Sequence, residues 1–431
     1  MKTFEKIIGI GMVLFAVGFN LWIYRLEPTV TTDPNDNTFQ YALVDRTNQI
    51  WDYADKTCSS AGWRILSSVA CHLSLLTDHW VPNWAEGYNL PYYYSHIPQI
   101  VIVGSWRFLN FIRGPLALLQ GVPLQTSLFA YYHFVIYLLL SFFPLSVFLA
   151  LRIIGLPWLT AGIGALLASH LSTDGLYGLD PASFLWRGYG LSSQLFAMIW
   201  LPLAIAYAWK YFHAEQRAKS TEQRNSFLLY SLPSTLYSSV PAVLALAATT
   251  AGHLGIGIIA FLTAGALSIA SPIMKLVRGD TIHESWFTAK RQGVRLVLVL
   301  GLTILLLSYW ILPIFLHGNY HNISFWDPVW KFDSYGAKET LVRLFNGDLF
   351  DFGRLPILTA LVFIGSFAAL RSGLQSFSFL FIFWLLMYFG RTTWGGLIDL
   401  IPGMKEFHLS RFIVGVHLAG LFLIPIGIQW I

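Results

Sequence analysis

The stretch "IIGIGMVLFAVGFNLWIYRLEPTVTTDPNDNTFQYA", residues 7–42, decides how the whole chain is read. It begins with an apolar run long enough to cross a bilayer, which takes about 20 residues in helix. It then leaves that run into a segment holding Glu27, Asp33 and Asp36, in a chain where only 11% of residues are charged. A soluble domain carries about 25% charged residues. With 55% of its 431 residues hydrophobic, this chain falls in the class that crosses a membrane several times. The 16% aromatic content suits belts at two membrane interfaces. The net charge of +5 is no sign of nucleic-acid binding, because Lys and Arg sit in short loops without a basic block.

Working outward from residue 7, apolar runs occur at 6–26, 126–151, 153–171, 191–212, 227–247, 251–273, 293–316, 354–371, 376–391 and 410–430. The expected fold is an all-α polytopic membrane protein with about ten transmembrane helices. Residues 1–431 form one membrane domain, with a long exoplasmic loop over 27–125 that carries amphipathic helices. Lys2 and Lys6 precede the first run and no small-residue cleavage site follows it, so it reads as a retained signal anchor. Placing the N-terminus in the cytoplasm gathers 13 Lys and Arg against 5 Asp and Glu on the inner side. That asymmetry obeys the positive-inside rule. The expected location is the plasma membrane of a bacterium or archaeon. The segment "IPQIVIVGSWRFLNFI", 97–112, reads as an amphipathic helix lying in the outer interface. Cys58 and Cys71 both fall on the outer side, where either a disulfide or two buried thiols is compatible with the sequence.

The opening acids admit two readings. Phe39, Leu43, Ile50 and Tyr53 recur near helical spacing, so Asp33, Asn35 or Asp36 can cap a helix there. Two acids three residues apart exceed what one cap needs, and a carboxylate at a membrane surface is placed to act as a base on a hydroxyl. Farther on, "LLTDHWVPNWAEGYNLPYYYSHIP" (75–98) is dense in aromatics, which either anchor at an interface or hold sugars and headgroups.

The series resembles the first outer loop of the GT-C superfamily of membrane glycosyltransferases. The nearest branch is the 6-pyruvoyl-tetrahydropterin synthase-related integral membrane proteins. The matching residues are Asp36 and Phe39, Pro82 and Trp84, and Gly87, Pro91 and Pro98. "LPLAIAYAWKYF" (201–212), "AGHLGIGIIAFL" (251–262) and "IPGMKEFHLSRFIVGVHLAGL" (401–421) extend the resemblance along the chain. It implies transfer of a sugar from a polyprenyl-phosphate donor to an acceptor on the outer membrane face. It implies Asp36, with Asp33 second, as the catalytic base or as a metal holder. Asp33 and Asp36 are separated by Pro34 and Asn35, where GT-C members often show adjacent acids.

Arg411 and Arg187, near the starts of outer-facing spans, are candidates to hold the donor phosphate, because Arg offers a bidentate fork. The other reading of each is interfacial snorkelling. Trp84 and Tyr94 are candidate substrate-contacting aromatics. His253, read as lying within a span, is either a substrate contact or a packed, hydrogen-bonded histidine. No cofactor motif stands out, and a divalent metal, Mg²⁺ or Mn²⁺, is what paired carboxylates at Asp33 and Asp36 would suit. The expected partners are membrane lipid, the polyprenyl-phosphate donor and other membrane subunits, with no nucleic acid. Two rival readings stay open. One is a non-catalytic subunit or scaffold that keeps the GT-C-like fold. The other is a transporter, which ranks last because paired broken helices in matching halves are missing from the pattern.

Overall fold

The computed structural model describes residues 2–32, 36–58, 65–82, 87–90, 96–120, 126–174, 177–181, 183, 192–213, 231–318 and 327–431. Helices dominate: α1 (Lys2–Ile23), α2 (Asp36–Cys58), α3 (Ile65–Thr77), α4 (Ile97–Gln120), α5 (Leu128–Ile154), α6 (Trp158–Ala168), α7 (Ser192–Phe212) and α8 (Ser231–Gly252). They continue with α9 (Leu254–Val277), α10 (Ile282–Leu306), α11 (Ser308–Leu316), α12 (Val329–Asp333), α13 (Gly336–Asn346), α14 (Ile357–Arg371), α15 (Gln375–Tyr388) and α16 (Ile413–Trp430). The only sheet among the described residues is a small antiparallel hairpin, which the all-α reading did not anticipate. It pairs Trp80 with Asn89 and Val81 with Tyr88.

Five helical segments are long and apolar enough to cross a membrane: Thr3–Thr29, Leu128–Ile154, Ser192–Phe212, Leu254–Val277 and Leu409–Trp430. The number rises to seven if each bent pair, Ile282–Leu306 with Ser308–Leu316 and Gln375–Tyr388 with Arg391–Leu400, is one span. By length and composition this is an integral membrane protein. The other three expected runs hold the shorter apolar helices Trp158–Ala168, Leu236–Gly252 and Ile357–Arg371. The stretch expected as an interfacial helix over 97–112 forms a longer helix, α4, which is not apolar enough to count among the spans.

Close crossings explain why glycine stands where it does. A Cβ on Gly9 of α1 would lie 2.3 Å from the Trp158 carbonyl oxygen of α6, and one on Gly162 would lie 2.7 Å from that of Gly9. Gly365 of α14 meets Leu423 and Gly427 of α16 in the same way. Between helices in lipid, such small residues allow the backbone approach that packing needs.

The helices alternate in direction, so the bundle has two chemically distinct ends. At one end Lys6 and Arg152 both lie over the Trp158 ring, at 5.1 and 4.3 Å. Arg278 bonds Gln375 at 2.9 Å at the same end, and Gln292 bonds the Phe212 carbonyl at 2.9 Å. This end gathers the described basic residues that the sequence assigned to one side. The opposite end carries α2, α3 and α4 together with α12 and α13. There Cys58 and Cys71 form a disulfide, with their Cα atoms 5.8 Å apart. Arg107 of α4 bonds Asp52, at 2.6 Å, and Asp55 of α2. Asp55 also meets His72 of α3 at 2.9 Å. These links fasten the inserted segment to itself.

Candidate functional site

At the end opposite the basic loops, five separate segments meet, four of them carrying charge. The first is the start of α2. Asp36 is its first residue, where the helix dipole favours a negative charge. Its carboxyl nevertheless titrates above the usual carboxylate range. Desolvation by the surrounding protein is the main cause, and it outweighs the attraction of Arg411 and Lys331; nearby Asp327 adds to the rise. A carboxylate with raised basicity and water access is a suitable proton acceptor.

Arg411 comes from a short 3-10 turn, Leu409–Phe412, that leads into α16. Its guanidinium lies over the Tyr177 ring, 4.8 Å from the centroid. Its side chain has no ion-pair or hydrogen-bond partner among the described residues, and the residue is only half-exposed. Other arginines at this end are engaged. Arg391 bonds Asp333 and Asp399, each at 2.8 Å, and Arg343 bonds Glu339 at 2.9 Å and Asp174 at 3.3 Å. A half-buried guanidinium that bonds no carboxylate keeps its bidentate fork available to an anion.

Around it stand two histidines. His408 contacts Asp327 at 3.6 Å and the Tyr177 hydroxyl at 3.5 Å, edge-on to Phe332. Burial, helped by the Arg411 charge, holds its pKa down at about 4, so it is neutral at pH 7 and its contact with Asp327 is no ion pair there. Asp327 instead pairs with Lys331 at 2.5 Å, and the Lys331 carbonyl accepts from the Ser410 hydroxyl at 2.9 Å. That bond ties α12 to the residue before Arg411.

His253 is placed differently from the sequence expectation. It lies in the one-residue break between α8 and α9, not within a span, and caps α9. Its Nδ1 accepts the Ile256 N–H at 3.3 Å, which fixes a neutral tautomer with the proton on Nε2. Burial and Arg411 push its pKa down to about 3. The "AGHLG" pattern misled because the two helices are both apolar and nearly continuous in sequence. Only the extended backbone at His253 (φ −157°, ψ 120°) reveals the turn.

The segment presenting Tyr177 is held from beneath. His417 of α16 accepts the Leu179 N–H at 2.9 Å on Nδ1 and donates from Nε2 to the Leu349 carbonyl at 2.7 Å. Buried Asp180 accepts from Thr173 N–H and from the Ser183 hydroxyl. Sequence reading did not single out Tyr177, Asp180, Asp327, Lys331 or His417. The one signal available was that His417 falls inside the resembled stretch 401–421.

Of the predicted site residues, the structure therefore brings together Asp36, Arg411 and His253. Asp33, Arg187, Trp84 and Tyr94 lie outside the described residues. Among the described residues no group of three or more His, Cys, Asp or Glu forms a metal set. Next to the charged cluster, sharing Tyr177 and Ser410 with it, is a cavity of about 380 Å³. In comparisons with known proteins, no family model and no curated protein matches this chain.

Proposed function

We propose that this protein is a GT-C-like glycosyltransferase that moves a sugar from a polyprenyl-phosphate donor to a hydroxyl acceptor. The observation that carries the reading is a half-buried Arg411, free of side-chain ion pairs and hydrogen bonds among the described residues, close enough to act on a carboxylate of raised basicity at Asp36. In this reading the donor's phosphate rests on Arg411, with Lys331 adding positive potential. Asp36 takes the proton of the acceptor hydroxyl as its oxygen attacks the anomeric carbon. The bond from that carbon to the phosphate oxygen breaks, and polyprenyl phosphate leaves with the electron pair. His253 and His408, neutral at pH 7, supply hydrogen bonds rather than charge. Should a divalent metal be bound, Asp36 is the described residue to hold it, and the metal would steady the phosphate's charge.

The same reading counts ten membrane crossings, with the shorter helices α6, α8 and α14 as spans. It puts the N-terminus in the cytoplasm and the site on the outer face. The disulfide at the site's end of the bundle supports that orientation, since disulfides persist in oxidising compartments. A non-catalytic subunit is the second reading, favoured by one observation: Asp36 opens α2, where a carboxylate stabilises the helix without any chemistry.

The test compares wild type with Asp36→Asn, purified in nanodiscs with a polyprenyl-phosphate sugar and a panel of acceptors. Loss of the general base predicts a fall of about 10²-fold or more in transfer. Equal transfer by both proteins would sink the assignment of Asp36.

A further inference from the structure

The cavity beside Tyr177 has the opposite electrostatic character from the Arg411 cluster. Three carboxylates line it, Asp174, Glu339 and Asp348, against the single guanidinium of Arg343. Arg343 is already shared between Asp174 and Glu339. Asp348 is left over: half-buried, with no side-chain partner among the described residues. Its position makes this costly. Asp348 follows Gly347, which caps the C-terminus of α13 in the left-handed conformation (φ 88°). A negative charge there opposes the helix dipole. A second, independent feature points into the same space. Tyr388 is only 4% exposed, lines the cavity, and its hydroxyl has no hydrogen-bond partner among the described residues.

We infer that this cavity binds the ammonium group of a phosphoamine whose phosphate rests on Arg411. Only the phosphate half of that statement rests on the function proposed above; the ammonium half stands on the cavity. Asp348 supplies the countercharge, and the Tyr388 hydroxyl accepts an N–H. A phosphate cannot sit inside, because the lining carries an excess of two negative charges. Arg411 marks the rim, since its ring partner Tyr177 and its neighbour Ser410 both line the cavity. A volume of about 380 Å³ accommodates a small headgroup. The phosphoamine has two sources with the same chemistry, a lipid headgroup such as phosphatidylethanolamine or a free phosphoamine.

Calorimetry on the full-length protein in detergent, with ethanolamine, inorganic phosphate and O-phosphoethanolamine as separate probes, tests this. Ethanolamine is expected to bind wild type, to weaken about tenfold or more in Asp348→Asn and a few-fold in Tyr388→Phe, and to bind Arg411→Ala at least as tightly as wild type, since a like charge at the rim is removed. Asp348→Asn is isosteric at a side chain without partners and Tyr388→Phe keeps the ring, so both variants fold. Phosphate should depend on Arg411 alone, and phosphoethanolamine should bind more tightly than either half. The inference is overturned if ethanolamine binds no better than glycerol, or if Asp348→Asn binds it as wild type does. Phosphate binding that survives Arg411→Ala, with ethanolamine behaving as expected, would instead overturn the Arg411 assignment and leave the ammonium subsite standing. Displacement of ethanolamine by phosphatidylethanolamine nanodiscs but not phosphatidylglycerol ones supports the lipid source. Displacement by soluble phosphoethanolamine alone supports the free one.

Discussion

Replacing Arg411 with alanine removes both an anion holder and a source of positive potential, so one variant gives two independent readouts. The first is affinity. A charge-assisted hydrogen bond contributes about 1.5–3 kcal/mol, more than a neutral one. No carboxylate has to be displaced from Arg411 before a phosphate docks, so little of that is forfeited. Arg411→Ala should therefore weaken binding of a polyprenyl phosphate by about 10- to 100-fold, where each 1.4 kcal/mol is tenfold. Arg411→Lys keeps the charge but loses the bidentate fork, and should fall between the two. The second readout is titration. Arg411 is the second cause of the depressed pKa of His408, after burial, and it also lowers that of His253. It is the largest influence holding Asp36 down against desolvation. Deleting the cation should move all three groups upward together, His408 by less than burial has displaced it. Ligand binding in nanodiscs and NMR of isotopically labelled histidines measure the two effects. If Arg411→Ala binds polyprenyl phosphate as wild type does while His408 titrates unchanged, the charged cluster does not exist as described.

Further predictions follow from packing, covalent structure and pH. Gly365→Ala places a Cβ about 2.0 Å from the Leu423 carbonyl oxygen, where backbone must give way. It should cost about 1–3 kcal/mol and lower the unfolding midpoint in detergent, whereas Gly265→Ala, with nothing within 4 Å, should not. Reducing the Cys58–Cys71 disulfide, which spans a sequence separation of 13, should remove about 3 kcal/mol from the α2–α3 unit. Hydrogen exchange of α3 would report it, and unchanged protection would refute it. His408 is held at about 4, below its ordinary 6.5, so the unfolded chain takes up a proton that the folded one refuses. Stability from this group is full above pH 6.5 and is lost as pH falls toward 4, by about 3 kcal/mol at most. Thermal midpoints that fall on acidification in wild type and fall less in His408→Gln would bear this out.

Much of the architecture was legible because it follows from composition. An apolar run of about 20 residues has few fates other than a membrane helix, and every expected run contains one or more helices. The grouping of basic loops at one end was likewise visible from charge alone. Apolarity does not mark where a helix turns, however. The sequence placed His253 inside a span, and the fold makes it a cap between two helices. The disulfide was an open alternative for a related reason. Spacing does not set a Cα separation, and only the antiparallel return of α3 on α2 brings Cys71 to Cys58.

The sequence by itself determined the solvent this protein lives in, the grouping of its basic loops at one end, and two of the charged residues that the fold brings near one another, Asp36 and Arg411. The tertiary structure decided everything that depends on long-range approach. Asp327 and Lys331 join the site only because Ser410 bonds the Lys331 carbonyl, whereas His408 arrives with Arg411 on the same turn. Tyr177 lies beneath Arg411 only because His417, from a different helix, holds the chain at Leu179. Asp348 counts only because Arg343 is already occupied by two other carboxylates. Local pattern reports what a residue can do, whereas charge pairing and burial depend on which neighbours the fold supplies.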